Sequence, residues 1–243
     1  MHEFEIDILT PDGVMNAFVV HPDEGGPHPV VIFLMDGPGK REELHEMARR
    51  IAAVGYFVVL PNLYYRKTRD FVMVPNDAGY AEMFALMGTL SNALVVNDVH
   101  DVLDFIGGHG EADADRVGVV GYCMGGPFAI AAAAGLPDIR CAASIHGANL
   151  VTDKTDSPHR MLDRLRCETY FAFAEIDRWV PRTDGEVLEQ ALKDAGANYR
   201  LEWYPGAQHG FVFPKRGEIY DRASAERHWN RLFMLFERNL KSY

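Results

Sequence analysis

Apolar and polar residues alternate in the first two segments of the chain, and the third segment is apolar throughout. Residues 3–9 and 14–21 alternate as antiparallel strands do, and Pro11, Asp12 and Gly13 form a turn between them. Residues 29–35 (PVVIFLM) form a continuous apolar run, which is typical of a central strand covered on both faces. The pattern therefore predicts an antiparallel pair followed by a buried strand.

Helical spacing then alternates with short apolar runs along the rest of the chain. The pattern predicts helices at residues 41–54, 91–106, 124–134, 184–195 and 224–240, and strands at 56–60, 116–120, 141–145, 169–174 and 199–203. Strands that alternate with helices imply a mostly parallel sheet with right-handed crossovers. We therefore predict an α/β fold in one domain over residues 1–243, with antiparallel N-terminal edge strands and helices on both faces. Residues 65–90 are irregular and are predicted to form a lid over the carboxyl edge of the sheet.

Composition and charge limit the kinds of partner that the chain can bind and the cellular compartment expected for it. The net charge of −11 argues against a nucleic-acid groove or an anionic membrane surface as partner. No apolar run approaches the roughly 18 residues of a membrane span, and acids stand where a signal peptide has its basic region. Three cysteines suit a reducing compartment, so we expect a cytoplasmic protein. No CxxC or HExxH pattern occurs, so no metal site is predicted.

Residues 116–130 (RVGVVGYCMGGPFAI) place a cysteine at the corner between a predicted strand and a predicted helix. Gly121 and Gly125 flank Cys123 with the G-x-nucleophile-x-G spacing of a sharp strand-to-helix turn, in which larger side chains collide. The positive end of the helix that starts near Met124 favours a thiolate. The alternative is that Cys123 only fills a gap in the core. That simpler interpretation is kept for Cys141 and Cys167.

A thiolate nucleophile requires a base, and the base requires a group that orients it. In an elbow enzyme the order along the chain is nucleophile, acid and histidine, with the last two on loops after later strands. Asp177 follows the strand at 169–174, and His209 lies in the loop PGAQHGF after the next strand. We predict that Asp177 is the acid and His209 the base, with Glu175 and His146 as weaker alternatives.

Two backbone N–H groups are expected to bind the oxyanion that develops during acyl transfer. The residue after the nucleophile, Met124, supplies the first of them. The second comes from the loop Asp36-Gly37-Pro38-Gly39, where Gly37 is predicted because proline has no N–H to donate. Gly37 can also be an ordinary turn residue.

Five segments of this chain resemble the dienelactone hydrolase family of the α/β-hydrolase fold, in the order of that family. They are VIFLMDGPG, GYFVVLPNLYYR, GYCMGG, AEIDRWVP and YPGAQHGF, and the resemblance extends from about residue 29 to 240. It implies hydrolysis of an ester or lactone through an acyl-cysteine intermediate, without a cofactor. Cys123 would be the nucleophile, Asp177 the acid and His209 the base.

The chain departs from the family pattern at two places. The family has a glutamate after its third strand that contacts the resting cysteine, whereas this chain has the shorter Asp36. Asp36 is therefore a candidate modulator of the thiol, or a turn aspartate bonded to its own backbone. The family also binds a substrate carboxylate with arginines in the lid and after the histidine, yet residues 71–115 contain no Lys or Arg and residues 210–213 are GFVF. We therefore expect a substrate less anionic than dienelactone, and four cations remain candidates for carboxylate binding: Lys215, Arg216, Arg66 and Arg69.

The expected partner is a small ester or lactone, bound by a protein that is a monomer or a small homo-oligomer. Six side chains are predicted to line the substrate pocket: Tyr122, His146, Phe84, Met87, Phe211 and Phe213. Two alternatives stay open at this stage. The same three residues would serve a thioesterase or another acyl hydrolase such as a peptidase, and a hydrolase scaffold can also act as a non-catalytic ligand receptor.

Overall fold

A computed structural model describes residues 1–241, and within this range eight strands form one sheet. The strands are β1 (His2–Thr10), β2 (Gly13–His21), β3 (His28–Leu34), β4 (Phe57–Pro61), β5 (Ala112–Tyr122), β6 (Ile139–Ile145), β7 (Glu168–Ile176) and β8 (Tyr199–Gln208). The helices are α1 (Glu42–Ala52), α2 (Asp77–Met87), α3 (Asn92–Gly107), α4 (Gly125–Gly135), α5 (Arg182–Asp194) and α6 (Arg222–Leu240). Short 3₁₀ turns lie at Pro158–Arg160, Leu162–Arg164 and Pro214–Ile219.

The strand order is β1-β2-β4-β3-β5-β6-β7-β8. β1 pairs antiparallel with β2, and β2 pairs antiparallel with β4, whereas the other neighbours are parallel. The predicted mostly parallel sheet with antiparallel N-terminal edge strands is therefore confirmed. Because parallel strands point the same way, the loops that follow β3, β5, β6, β7 and β8 all leave the sheet at one edge.

The burial of the strands follows the hydrophobic pattern from which they were predicted. Every residue of β3 is buried, as expected for a strand with helices on both of its faces. β1 lies at the edge of the sheet, and most of its side chains are exposed. In the described part of the chain, no helix has both the length and the apolarity that crossing a membrane requires.

The structure differs from the predicted elements mainly around residues 65–90, which the sequence pattern left irregular. These residues contain α2, which is capped by Asn76, whose side chain accepts a hydrogen bond of 2.9 Å from the backbone N–H of Gly79. Its apolar side chains do not form a single buried face, because Met83 is buried while Tyr80 and Phe84 are exposed. The periodicity that identifies an amphipathic helix is therefore missing from this segment.

Candidate active site

The turn after β5 holds Cys123 in a backbone conformation that L residues rarely adopt. Its φ is 52°, in the left-handed region. A Cβ atom added to Gly121 would lie 1.9 Å from the Gly125 carbonyl oxygen, and one added to Gly125 would lie 2.5 Å from that of Leu34. Only glycine therefore fits two residues before and two residues after the cysteine, for the steric reason predicted from the sequence.

The backbone around Cys123 fixes the corner to the sheet and to the following helix. The Cys123 N–H donates to the Ile145 carbonyl at 3.0 Å, and the Cys123 carbonyl accepts from the Gly126 N–H at 3.1 Å. Helix α4 begins at Gly125, so the half-buried thiol lies beside the helix N-terminus. The unpaired N–H groups of a first helical turn favour a negative charge at that position.

His209 and Asp177 form a buried pair at the same edge of the sheet. His209 Nδ1 donates to Asp177 Oδ2 at 2.6 Å, and Asp177 Oδ1 accepts from the Trp179 N–H at 2.8 Å. The exposed fraction is 10% for the His209 side chain and 1% for that of Asp177. The carboxylate thereby fixes the orientation of the imidazole ring and stabilises its charged form.

The remaining ring nitrogen of His209 is the one available to a reacting group. His209 Nε2 is buried and has no hydrogen bond of normal geometry to any residue in the described range 1–241. Burial lowers the pKa of His209, but the hydrogen bond to Asp177 and the electrostatic influence of Cys123 and Asp177 outweigh it and raise the pKa to about 9. The imidazole is therefore mostly protonated at neutral pH and can stabilise a thiolate at Cys123.

Tyr64 joins the two residues predicted to bind the oxyanion, although the sequence analysis gave it no role. Its hydroxyl donates to the Gly37 carbonyl at 2.7 Å and lies 3.4 Å from the sulfur of Met124. Burial, together with the nearby Asp36 and Cys123, raises the pKa of Tyr64, so the hydroxyl keeps its proton. The only signal in the sequence was the segment PNLYYR, in which nothing distinguishes Tyr64 from Tyr65.

Helix α2 packs next to the loop that carries Gly37 and the loop that carries Asp177. The Met87 and Met83 sulfurs would be 3.1 and 3.2 Å from a Cβ placed on Gly37. On the other side, the Phe84 and Trp179 rings are 5.8 Å apart, which connects α2 to the Asp177 loop. The helix occupies the position expected of a lid, and whether it opens stays a prediction.

Comparisons with known proteins identify the family of this chain. The Dienelactone hydrolase family matches residues 15–240 of the chain. The chain belongs to this family. A Synechocystis protein named "Putative carboxymethylenebutenolidase" is 27% identical over 228 residues, which cover 93% of this chain and 92% of that protein. An Escherichia coli K12 protein of the same name is 30% identical over 230 residues, covering 92% of this chain and 82% of that protein.

The solved structures extend the match to the fold. A Klebsiella pneumoniae protein described as "Putative Dienelactone Hydrolase" has a TM-score of 0.86 and 26% identity to this chain, and 98% of each chain is covered. The dienelactone hydrolase-like phosphotriesterase P91 has a TM-score of 0.83 at 18% identity, which shows a shared fold. The predicted α/β-hydrolase fold is therefore confirmed, and family membership indicates a hydrolase that acts on a small molecule.

Asp36 stands where the sequence comparison with the family placed a glutamate, but its carboxylate binds two arginines. It is fully buried, and it accepts hydrogen bonds from Arg41 Nη1 at 2.5 Å and from Arg216 Nη2 at 2.6 Å. Among residues 1–241, no hydrogen bond joins its side chain to Cys123 or to its own backbone. Its influence on the thiol stays a prediction, and its direct partners are two guanidinium groups.

Arg216 follows His209 by seven positions, yet its side chain lies next to the loop that carries His209. A Cβ atom on Gly210 would lie 2.5 Å from Arg216 Nη1, and the Arg216 guanidinium carbon is 4.4 Å from the centre of the Phe213 ring. Arg41 also binds Glu43 at 2.7 Å. Two arginines are thus balanced by two carboxylates, so this buried cluster has no net charge.

The other three cations proposed for carboxylate binding are engaged away from the site. Arg66 donates to Asp98 at 2.7 Å, and Arg69 pairs with Asp7 at 2.8 Å. Lys215 pairs with Glu46 at 3.1 Å on the surface. Of the four cations considered, Arg216 is the one that the fold brings next to the histidine loop.

Four of the six predicted pocket residues lie behind the imidazole and have almost no accessible surface: Tyr122, His146, Phe211 and Phe213. The His146 ring is 4.8 Å from that of His209, and burial, helped by the nearby His209 and Arg216, lowers the pKa of His146 well below its usual value. This neutral ring therefore packs against the His209 ring and helps to hold it in position. Phe84 is exposed and Met87 half-buried, so these two are the predicted pocket residues that a substrate can reach.

Proposed function

We propose that this protein hydrolyses a small carboxylic ester or lactone through an acyl-cysteine intermediate, with Cys123 as nucleophile, His209 as base and Asp177 as acid. The observation that supports this most strongly is the 2.6 Å hydrogen bond between His209 and Asp177, beside a half-buried thiol on a strained turn. Three chemically complementary groups from three separate strand ends are difficult to explain in a ligand receptor that performs no chemistry.

The proposed reaction has two acyl transfers. The Cys123 thiolate attacks the carbonyl carbon, and the oxyanion receives hydrogen bonds from the Met124 and Gly37 N–H groups. The carbon–oxygen bond then breaks, and the alkoxide leaves with the proton of the His209 imidazolium. Water, losing its proton to His209, attacks the thioester, and the acid leaves as the Cys123 thiolate is restored. The three side chains and two amides suffice for these steps, and no cofactor takes part.

The surroundings of the site favour an uncharged substrate. The positive charges of Arg41 and Arg216 are balanced by Asp36 and Glu43, so none is left to attract a free carboxylate. Met83 and Met87 present polarisable apolar surface above Gly37. We therefore propose a neutral, fairly apolar ester or lactone, and a thioester would be an alternative on the same residues.

A substrate panel tests the proposal and separates these alternatives. It compares a neutral para-nitrophenyl ester, the matching ester with a carboxylate on its acyl chain, a neutral lactone and an alkyl thioester. We expect kcat/KM for the neutral ester to exceed that for the carboxylate analogue by about tenfold, worth about 1.4 kcal/mol in transition-state free energy. Preference for the thioester or for the anionic ester would redirect the substrate assignment.

Cysteine variants test the mechanism in the same assay. Cys123→Ala should reduce kcat/KM by at least about 10⁴-fold, whereas Cys141→Ala and Cys167→Ala should stay within about threefold of the parent. Full activity in the Cys123 variant would refute the acyl-cysteine mechanism.

A further inference from the structure

A second concentration of chemically active side chains lies at the opposite edge of the sheet. A cavity of about 430 Å³ there is lined by His2, Phe4, His21, Asp23, His109 and Glu111. β2 ends at His21, β3 begins at His28, and Glu111 immediately precedes β5. Cys123 follows β5, so the length of that strand, roughly 35 Å, separates this cavity from the candidate active site.

Two residues that line this cavity, His21 and Glu111, bring their ligand atoms close to one of the buried His28. His21, His28 and Glu111 each offer one such atom, and these atoms all lie within 4.8 Å of one another. His21 Nδ1 is 2.7 Å from the Pro22 carbonyl oxygen, which can only accept, so Nδ1 holds the proton. Its Nε2 therefore keeps a free lone pair, which is the arrangement that orients metal-ligating histidines.

The His28 side chain gives an independent indication of a ligand. It is buried, with a residue exposure of 5%, yet its Nε2 has no hydrogen-bond partner in the range 1–241. A buried polar atom without a partner is costly and calls for an explanation. A Cβ on Gly26 would lie 2.5 Å from Glu111 Oε2 and 3.5 Å from His28 Nε2, so both atoms face the same small space.

We propose that His21, His28 and Glu111 bind a divalent transition-metal ion of the Zn²⁺ type. Two imidazole nitrogens and one carboxylate oxygen match the ligand preference of Zn²⁺, whereas Mg²⁺ and Ca²⁺ prefer oxygen ligands alone. Solvent in the cavity completes the coordination. The ligands come from three separated segments, which explains why no short metal-binding motif marks them. The ion would link β2, β3 and the loop before β5, and would therefore stabilise the fold.

A second cluster on the same molecule serves as a matched control. His100, Asp101 and Asp104 on α3 also bring their ligand atoms within 4.8 Å of one another. The side chains of His100 and Asp104 are 59% and 74% exposed, so water can satisfy them. Because this second cluster is exposed, its similar spacing gives no reason to expect that it binds a metal ion tightly.

Calorimetric titration of Zn²⁺ into metal-free protein tests the proposal, with Cys123→Ala as the parent so that the active-site thiol does not compete. We expect one Zn²⁺ to bind per chain and to raise Tm. Glu111→Gln should weaken binding by at least about tenfold and remove the rise in Tm, while His100→Ala should change neither. Glu111 is exposed, so its variant should fold normally, which circular dichroism of the metal-free protein checks.

Two further measurements connect the titration to the assigned ligands. Co²⁺ in place of Zn²⁺ should give the visible absorption of a low-coordinate site in the parent and lose it in Glu111→Gln. With Cys123 intact, Glu111→Gln should leave ester hydrolysis unchanged because the cavity is remote from the active site. Failure to bind one Zn²⁺ per chain, or equal effects of Glu111→Gln and His100→Ala, would overturn the proposal.

Discussion

Cys123 follows strand β5 and Cys141 lies within the neighbouring strand β6, and the two thiols have very different surroundings. Cys141 lies inside β6 and is fully buried, and burial raises the pKa of its thiol well above the usual value. Cys123 lies just beyond the end of β5, half-buried, with a φ of 52°. It is next to the first turn of α4, and its thiol interacts with the His209 imidazole.

The surroundings of a thiol in this sheet therefore depend on whether it lies within a strand or just beyond the end of one. A thiol within the sheet is surrounded by apolar groups that cannot stabilise a negative charge. A thiol at the corner lies beside a helix N-terminus and near the His209 imidazole, both of which favour a thiolate.

After loss of the Cys123 thiol itself, removing the carboxylate that orients His209 should have the largest effect. In Asp177→Asn the side chain no longer stabilises the imidazolium, so we expect kcat for the neutral ester to fall by about 10²- to 10⁴-fold. Glu175→Gln is the matched control, because Glu175 lies two residues away and accepts a hydrogen bond from the Gly206 N–H at 2.8 Å. Equal losses in the two variants would show that Asp177 acts only through the structure of this loop.

The charge on His209 should also appear as pH-dependent stability. Its pKa is about 9 in the folded chain, compared with about 6.5 in an unfolded one. Because the folded pKa is raised, this stabilisation is complete below about pH 6.5 and is lost as pH rises through about 9. We expect the free energy of unfolding in urea to decrease by up to about 3 kcal/mol from this source.

His209→Gln isolates that contribution from other groups that titrate at alkaline pH. The difference in unfolding free energy between the parent and this variant should shrink as pH rises from neutral to alkaline. A difference that stays constant over this range would mean that His209 is not held in its charged form.

The smallest effect is expected from removing the hydrogen bond that Tyr64 donates to the loop carrying Gly37. Tyr64→Phe removes the hydrogen bond to the Gly37 carbonyl, so we expect kcat to fall by about tenfold while KM changes little. Tyr65→Phe is the control, since its hydroxyl contacts Thr10 and Asp98, away from the loop. If Tyr65→Phe reduced kcat as much as Tyr64→Phe, the role assigned to Tyr64 would be wrong.

The sequence predicted the sheet and the corner because both depend on local pattern. Continuous apolar runs identified β3 and β4, and the glycine spacing around Cys123 reflects contacts within a few residues of it. The ends of strands were less predictable. β5 begins at Ala112 and β8 continues to Gln208, through Pro205 and Gly206, because pairing with the neighbouring strand extends both beyond their apolar stretches.

The rest of the site depends on long-range contacts that a local pattern does not encode. Arg216 binds Asp36 across 180 positions, and the 3₁₀ turn Pro214–Ile219 that carries it follows no hydrophobic periodicity. Tyr64 gains its role from packing between two loops that are distant in sequence. The ligand atoms of His21, His28 and Glu111 come together only because the sheet aligns β2 and β3 with the loop before β5.

Mass spectrometry of the protein trapped with a slowly hydrolysed ester would identify the nucleophile of the proposed reaction. After rapid acid quenching and digestion, we predict one acyl group per chain on the peptide that contains Cys123. Cys141→Ala should leave this adduct unchanged, and Cys123→Ala should remove it. An adduct on Cys141, Cys167 or a hydroxyl group, or turnover that continues in Cys123→Ala, would contradict the account.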